Sequence, residues 1–300
     1  MNKSKYWRWA WLALPATALS VLAVGLLPQA GNAGADSRAP APTPIRASKI
    51  ILIGDSTVAV QGGWGSSFCA EHVTSSVACV NLARGGRSSG SYIAEGSWEL
   101  ALSEARAPGF IATWMFIQFG HNDQPGRPGR STDLATEFPA NLRRYINEAR
   151  AAGAQPVLIT PLTRRQFKEG TLQNDLAPWA AAMARVAAEM KVPLIDLNTL
   201  SSSAVQAMGA TMANTFAQLP PSPAIAAAAE KGTTIAAATA TDPSPRPASE
   251  AVVDSSPPWA HPELSFDYTH LGRKGADYFA TMVTQELAIQ VPQMRPLLIP

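Results

Sequence analysis

Charge is scarce in this chain. Lys, Arg, Asp and Glu make up 15% of its 300 residues, against about 25% in an average soluble domain, which is too little for a solvated coiled coil. The 24 basic and 22 acidic groups nearly cancel, so the basic excess of a nucleic-acid binder is missing too. Cysteine is confined to Cys69 and Cys79 and histidine to four positions. Neither recurs at ligand spacing, so no metal site is expected. Beyond residue 35 no apolar run approaches membrane-spanning length. What the chain does hold is 46% apolar residues and 25 prolines, too apolar for wholesale disorder and long enough for one or two domains.

The amino-terminal residues read as a leader. Lys3, Lys5 and Arg8 precede an uncharged stretch, Trp9–Leu27, and small residues follow at Gly31, Ala33, Gly34 and Ala35. This is the layout of a secretory signal peptide over 1–33, with Pro15 arguing against an uncleaved anchor. Its loss removes three basic and no acidic groups, turning a net +2 into −1. A secreted or periplasmic protein is expected, with no membrane association after cleavage. An oxidising compartment permits a Cys69–Cys79 disulfide joining a helix to the next strand. Two buried free thiols are the alternative, and spacing alone does not decide.

After an Ala/Pro/Ser-rich lead-in at 34–47, short apolar runs alternate with helical patterns. Strands are expected at Lys49–Gly54, Ser76–Ala83, Phe110–Phe119, Pro156–Pro161 and Val192–Leu197. Leu142, Tyr145, Ile146 and Ala149 mark one helix, stopped by Gly153, and Asp175 can cap another carrying Trp179, Met183, Val186 and Met190. A last helix carries Ala276, Phe279, Val283 and Leu287. Buried strands alternating with helices imply an α/β, three-layer architecture: a flavodoxin-like, five-stranded parallel sheet in a single domain over 48–300. Between Ser201 and Pro262 the pattern breaks down amid nine prolines. A low-complexity, mobile insertion is expected at about 216–258, or a lid that folds over the cleft when polymer binds.

In an open parallel sheet, working residues gather beyond the carboxyl ends of the strands. The first strand ends in Gly54-Asp55-Ser56-Thr57 and the second runs into Asn81-Leu82-Ala83-Arg84-Gly85-Gly86-Arg87-Ser88-Ser89. The third ends in Gly120-His121-Asn122-Asp123, and Asp267-Tyr268-Thr269-His270 precedes the last helix. A serine hydroxyl needs a base, and an imidazole with a reference pKa of about 6.5 suits neutral pH. A carboxylate on the other ring nitrogen fixes its tautomer. Attack on an ester then demands donors for the developing oxyanion, which the Ser56 and Gly86 N–H groups and the Asn122 amide can supply. Taken singly, Asp and Ser suit a helix N-cap, Asn122 suits a turn, and Asp-x-x-His suits a capped helix start. Gly86-Arg87-Ser88-Ser89-Gly90 also satisfies the G-x-S-x-G elbow, which would make Ser88 the nucleophile and leave Ser56 and Asn122 without work.

Together the blocks resemble those of the SGNH (GDSL-type) hydrolases, and more narrowly the rhamnogalacturonan acetylesterase family. The likeness is densest in GDSTVA at 54–59, NLARGGRSSGSYIAEGSW at 81–98, IQFGHNDQ at 117–124 and DYTHLGRKGA at 267–276. It implies Ser56 as nucleophile, Asp267 and His270 as its partners, and Ser56, Gly86 and Asn122 as the oxyanion hole, with no cofactor. The expected activity is removal of O-acetyl groups from a plant cell-wall polysaccharide, most simply rhamnogalacturonan, by a monomer. An acetylxylan esterase, a general lipase or thioesterase of the superfamily, and a non-catalytic carbohydrate-binding protein are the alternatives. Arg87, Arg164 and Arg165 are candidates to face uronate carboxylates. Trp64, Trp98, Trp114 and Trp179 are candidates to stack on sugars, with core packing the better account of Trp114 and Trp179.

Overall fold

The computed structural model describes residues 46–235 and 264–300. The expected leader at 1–33, nearly all of the lead-in at 34–47, and residues 236–258 of the expected insertion lie outside them. Five parallel strands form the central sheet: β1 (Ser48–Gly54), β2 (Val77–Asn81), β3 (Thr113–Gln118), β4 (Gln155–Ile159) and β7 (Leu194–Ile195). Their order, β2-β1-β3-β4-β7, matches the flavodoxin-like expectation. A two-residue hairpin, β5 (Phe167–Lys168) with β6 (Thr171–Leu172), follows β4.

The helices are α1 (Gly65–Glu71), α2 (Ser89–Ala94), α3 (Ser97–Ala105), α4 (Glu137–Ala151), α5 (Ala177–Met190), α6 (Leu197–Asn214), α7 (Pro223–Glu230) and α8 (Arg273–Gln290). Alternation along β1 and β3 divides the core. Ile50, Leu52, Trp114 and Phe116 face Phe68, Phe279 and Val283 on one side. Ile51, Ile53, Met115 and Ile117 face Trp98, Leu142, Tyr145 and Met183 on the other. Each such side chain is worth about 1.5–3 kcal/mol of burial. All seven residues of β1 are buried, and the strand runs between β2 and β3, so its carboxyl end lies beside theirs.

Four local expectations are corrected. The pattern does not break at Ser201, because α6 runs on to Asn214, capped by Asp196 and kinked at Gly209. Residues 216–235 of the expected insertion are built into the fold: Phe216 is core, Ser222 caps α7, and Ile225 and Ala229 are buried. Gly170 N–H donates to Gly232 O and Thr234 N–H to Phe167 O, docking the segment on the hairpin. Asp175 does not cap α5; its carboxylate accepts from Arg164 Nη1 at 2.5 Å. Trp64 and Trp98, like Trp114 and Trp179, are buried in the core rather than open to sugars. Cys69 on α1 and Cys79 on β2 are joined as a disulfide. Among the described residues no helix is long and apolar enough to cross a membrane.

Candidate active site

The chain turns sharply on leaving β1. Gly54 is required there, since a Cβ would stand 2.6 Å from Gln118 O and 2.8 Å from Val58 Cγ2. Asp55, fully buried, accepts from Thr57 N–H at 2.8 Å and Thr57 Oγ1 at 2.7 Å, while Val58 and Ala59 N–H return to its carbonyl. Gln118 Nε2 donates to Thr57 Oγ1 at 2.7 Å, and Trp64 Nε1 donates to Gln118 Oε1 at 3.0 Å. This buried chain fixes Ser56, which lies between the buried Asp55 and Thr57 and is itself partly exposed. On its far side Asp55 Oδ2 lies 3.4 Å from His121 Nδ1, too misaligned for a hydrogen bond but close enough for charge attraction. Burial alone would raise the Asp55 pKa; the His121 imidazole and the Thr57 donors outweigh it and hold the carboxyl below its usual value.

The segment after β2 comes alongside. Arg84 N–H donates to Gly54 O at 2.9 Å, and a Cβ on Gly85 would meet Ser56 Cβ at 3.7 Å. Gly86 adopts φ +77°, a left-handed conformation that favours glycine. Arg130 Nη1 donates to its carbonyl. Within the described residues no hydrogen bond uses the N–H of Ser56 or Gly86, so both remain free for a ligand oxygen. Asn122, beyond β3, donates through Nδ2 to Arg87 O at 3.0 Å and so abuts the same loop. Its neighbour Asp123 was missed from sequence. It accepts from Ser89 N–H and Oγ and from Thr132 Oγ1, tying the β3 turn to the start of α2. Burial, only partly offset by those donors, pushes its carboxyl up to about 6. The sequence signal was the carboxylate that directly follows Asn122.

The third wall is the loop before α8. His270 Nδ1 and Asp267 Oδ2 are 2.6 Å apart, and Asp267 Oδ1 accepts from Thr269 and His270 N–H at 2.7 and 2.6 Å. Burial works to raise the Asp267 pKa, yet the hydrogen bonds and charge of His270 take it down to about 2. The same hydrogen bond is the main cause of a raised His270 pKa. Ser56, Gly85, Gly86, Asp267 and His270 line one open cleft of about 640 Å³, though no hydrogen bond joins Ser56 Oγ to the imidazole. Such bonds are often long before substrate binds.

The other sequence candidates have different work. Ser88 is buried and caps α2, accepting from Ser91 N–H in a reciprocal capping box, so the G-x-S-x-G match is a helix start. Arg164 and Arg165, candidates to face uronate carboxylates, are instead buried and bonded within the fold. Arg164 pairs with Asp175, and Arg165 donates to the carbonyls of Asp267, Thr269 and His270. Arg87 is partly exposed but held by Glu95 at 2.9 Å and by Gly85 O at 2.8 Å. His72 is in hydrogen-bonding contact with Ile299 O and Asp277 Oδ1, and His261 lies outside the described residues. Among the described residues no three His, Cys, Asp or Glu side chains converge as a metal-ligand set.

Residues 52–278 match the family described as GDSL-like Lipase/Acylhydrolase. The chain belongs to that family. A probable rhamnogalacturonan acetylesterase of Bacillus subtilis, YesY, is 39% identical over 158 residues, covering 50% of this chain and 70% of that protein. The rhamnogalacturonan acetylesterase RhgT of the same organism is 36% identical over 169 residues, covering 54% and 69%. These likenesses place the chain in the rhamnogalacturonan acetylesterase group of the SGNH superfamily, and it is a carboxylic ester hydrolase. The crystal structure of Bacillus subtilis YxiM superposes with a TM-score of 0.58 at 24% identity, over 82% of this chain and 58% of that one, and shows the shared fold.

Proposed function

We propose that this hydrolase is exported and removes O-acetyl groups from a plant cell-wall polysaccharide, rhamnogalacturonan first among them, with Ser56 as nucleophile, His270 as general base and Asp267 as the carboxylate that orients the ring. The observation that carries the reading is the 2.6 Å contact of His270 Nδ1 with Asp267 in the cleft that Ser56 also lines. A carboxylate on Nδ1 fixes the proton there and leaves Nε2 as the acceptor for the serine proton. Ser56 Oγ attacks the acetyl carbonyl, and the Ser56 and Gly86 N–H groups with the Asn122 amide receive the oxyanion. The imidazolium gives its proton to the departing sugar hydroxyl. Water, deprotonated by the same ring, then releases acetate from the acetyl-serine.

Polymer rather than a free ester is supported by the groove. A second hollow of about 470 Å³ shares Val60, Gln61, Gln218 and Leu264 with the first, so the cleft continues past Ser56. Exposed Val60 and Leu264 offer apolar surface to sugar C–H faces and the two glutamines offer hydrogen bonds. The test is acetate release from acetylated rhamnogalacturonan, acetylated xylan and a long-chain ester side by side. Release led by rhamnogalacturonan and abolished by Ser56→Ala is expected; xylan ahead of it would move the substrate, and hydrolysis of the long-chain ester alone would refute the acetylesterase reading.

A further inference from the structure

Arg165 is a buried cation with no evident need to be charged. Its side chain is completely enclosed, and among the described residues no carboxylate lies within ion-pair distance of it. Burying an ion without a counter-ion is costly, and a neutral side chain could fill the volume. The guanidinium spends itself on main-chain carbonyls instead: Nη2 donates to Asp267 O at 2.9 Å and His270 O at 2.8 Å, and Nη1 to Thr269 O at 3.3 Å. Its own N–H donates to Tyr268 O at 2.9 Å, so all four loop residues present their carbonyls to Arg165.

The other side of that loop carries its N–H groups. Those of Thr269 and His270 converge on Asp267 Oδ1, which leaves Oδ2 to the imidazole. With carbonyls held on one side, the N–H groups are aimed to the other, and the carboxylate that orients the ring is itself oriented. A planar fork can span several carbonyls; an ammonium, a single point, cannot. We propose that Arg165 is a positioning residue for the general base, clamping the Asp267–His270 loop so that the carboxylate and imidazole hold their working geometry. This rests on the reading of His270 as the base.

The charged groups facing the imidazole are Asp267 on its own loop, Asp55 beyond β1 and Arg165 between β4 and β5. Both carboxylates favour the imidazolium and Arg165 opposes it, so removing the guanidinium charge and loosening the loop shift the imidazole in opposite directions. Arg165→Lys separates them, because it keeps the charge and loses the fork. In that variant the His270 imidazole, followed by NMR, should titrate lower than in the wild type, toward the reference of about 6.5, as its bond to Asp267 loosens. For a small acetyl ester kcat per titrated serine should fall about 10- to 100-fold, the scale of a 1 Å misplacement, with KM within about twofold. Arg165→Met should lose at least as much kcat; if it fails to fold, the Lys variant still decides. A folded Arg165→Lys with wild-type imidazole titration and wild-type kcat would overturn the proposal. The NMR titration needs no turnover, so an imidazole that shifts in a chain inert toward every ester would uphold the clamp while refuting the esterase reading.

Discussion

The two halves of the site are held by different means. The Ser56 turn grows from the centre of the sheet, under a Gly54 with no room for a methyl and over the buried Asp55–Thr57–Gln118–Trp64 chain. The Asp267–His270 loop lies beyond the last strand, with both side chains about a third exposed, and depends on Arg165 and on its own hydrogen bonds. The nucleophile is thus positioned by close packing and hydrogen bonds that are fully buried, and the base by a partly exposed loop tied down through long-range polar contacts. Damage to the first should appear mainly as lost stability, and damage to the second mainly as lost rate and altered pH dependence.

The largest effects should fall where both halves meet. Ser56→Ala and His270→Ala should each lower kcat by about 10⁴–10⁶-fold, and the double variant little further, because such residues act as a unit. Steady-state kinetics of all three variants on one ester would reveal additivity if the two act separately. Next, Asp267→Asn should cost about 10³–10⁴ in kcat with the fold kept. In the wild type, activity should rise with pH through the raised His270 value, since the base must be neutral. Losing the carboxylate should move that acid limb down.

The stability signs run otherwise. A raised imidazole pKa stabilises the fold fully below about 6.5 and ceases to as pH rises through the folded value. A lowered Asp267 stabilises above its usual value of 3.8 and fails as pH drops toward about 2. The pair therefore stabilises most between those limits, in mild acid, while catalysis needs a higher pH. Denaturant midpoints across pH 2–9 for wild type and Asp267→Asn should differ most in that acid window.

Asn122→Ala should lower kcat by about 10²–10³, the usual value of one oxyanion donor, with KM nearly unchanged. Gly54→Ala should destabilise by about 1–3 kcal/mol through overpacking, read from the urea midpoint. It should leave the imidazole titration unmoved, and a shift there would erase the distinction between the halves. Smallest of all, Ser88→Ala should cost about 1 kcal/mol as a lost cap and keep activity within about twofold.

The same contrast explains what could be read in advance. All five strands were legible because unbroken runs such as Ile50–Ile53 and Met115–Ile117 bury on both faces and leave no alternative to a parallel sheet. Ser56, Gly86, Asn122, Asp267 and His270 stood out as candidates because each follows a strand or opens a helix, and the fold brings Ser56, Gly86, Asp267 and His270 to one cleft. Helix α6 was not, since its Ser, Thr and Ala residues give little apolar stripe and Gly209 interrupts it. Arg165 reads in the sequence as a candidate to face uronate carboxylates, because a guanidinium fork suits them and arginines are seldom fully buried. Nothing local in Thr-Arg-Arg tells that one guanidinium pairs with Asp175 and the other holds three carbonyls about a hundred residues away. Long-range polar pairing leaves no periodicity in a sequence.

The central claim is that Ser56 is the hydroxyl His270 activates. Labelling the intact protein with a serine-directed fluorophosphonate and mapping the adduct by mass spectrometry tests it most directly. One adduct per chain is expected, on Ser56, lost in His270→Ala and retained in Ser88→Ala. An adduct on Ser88, or on Ser56 at the same rate with and without His270, would contradict it.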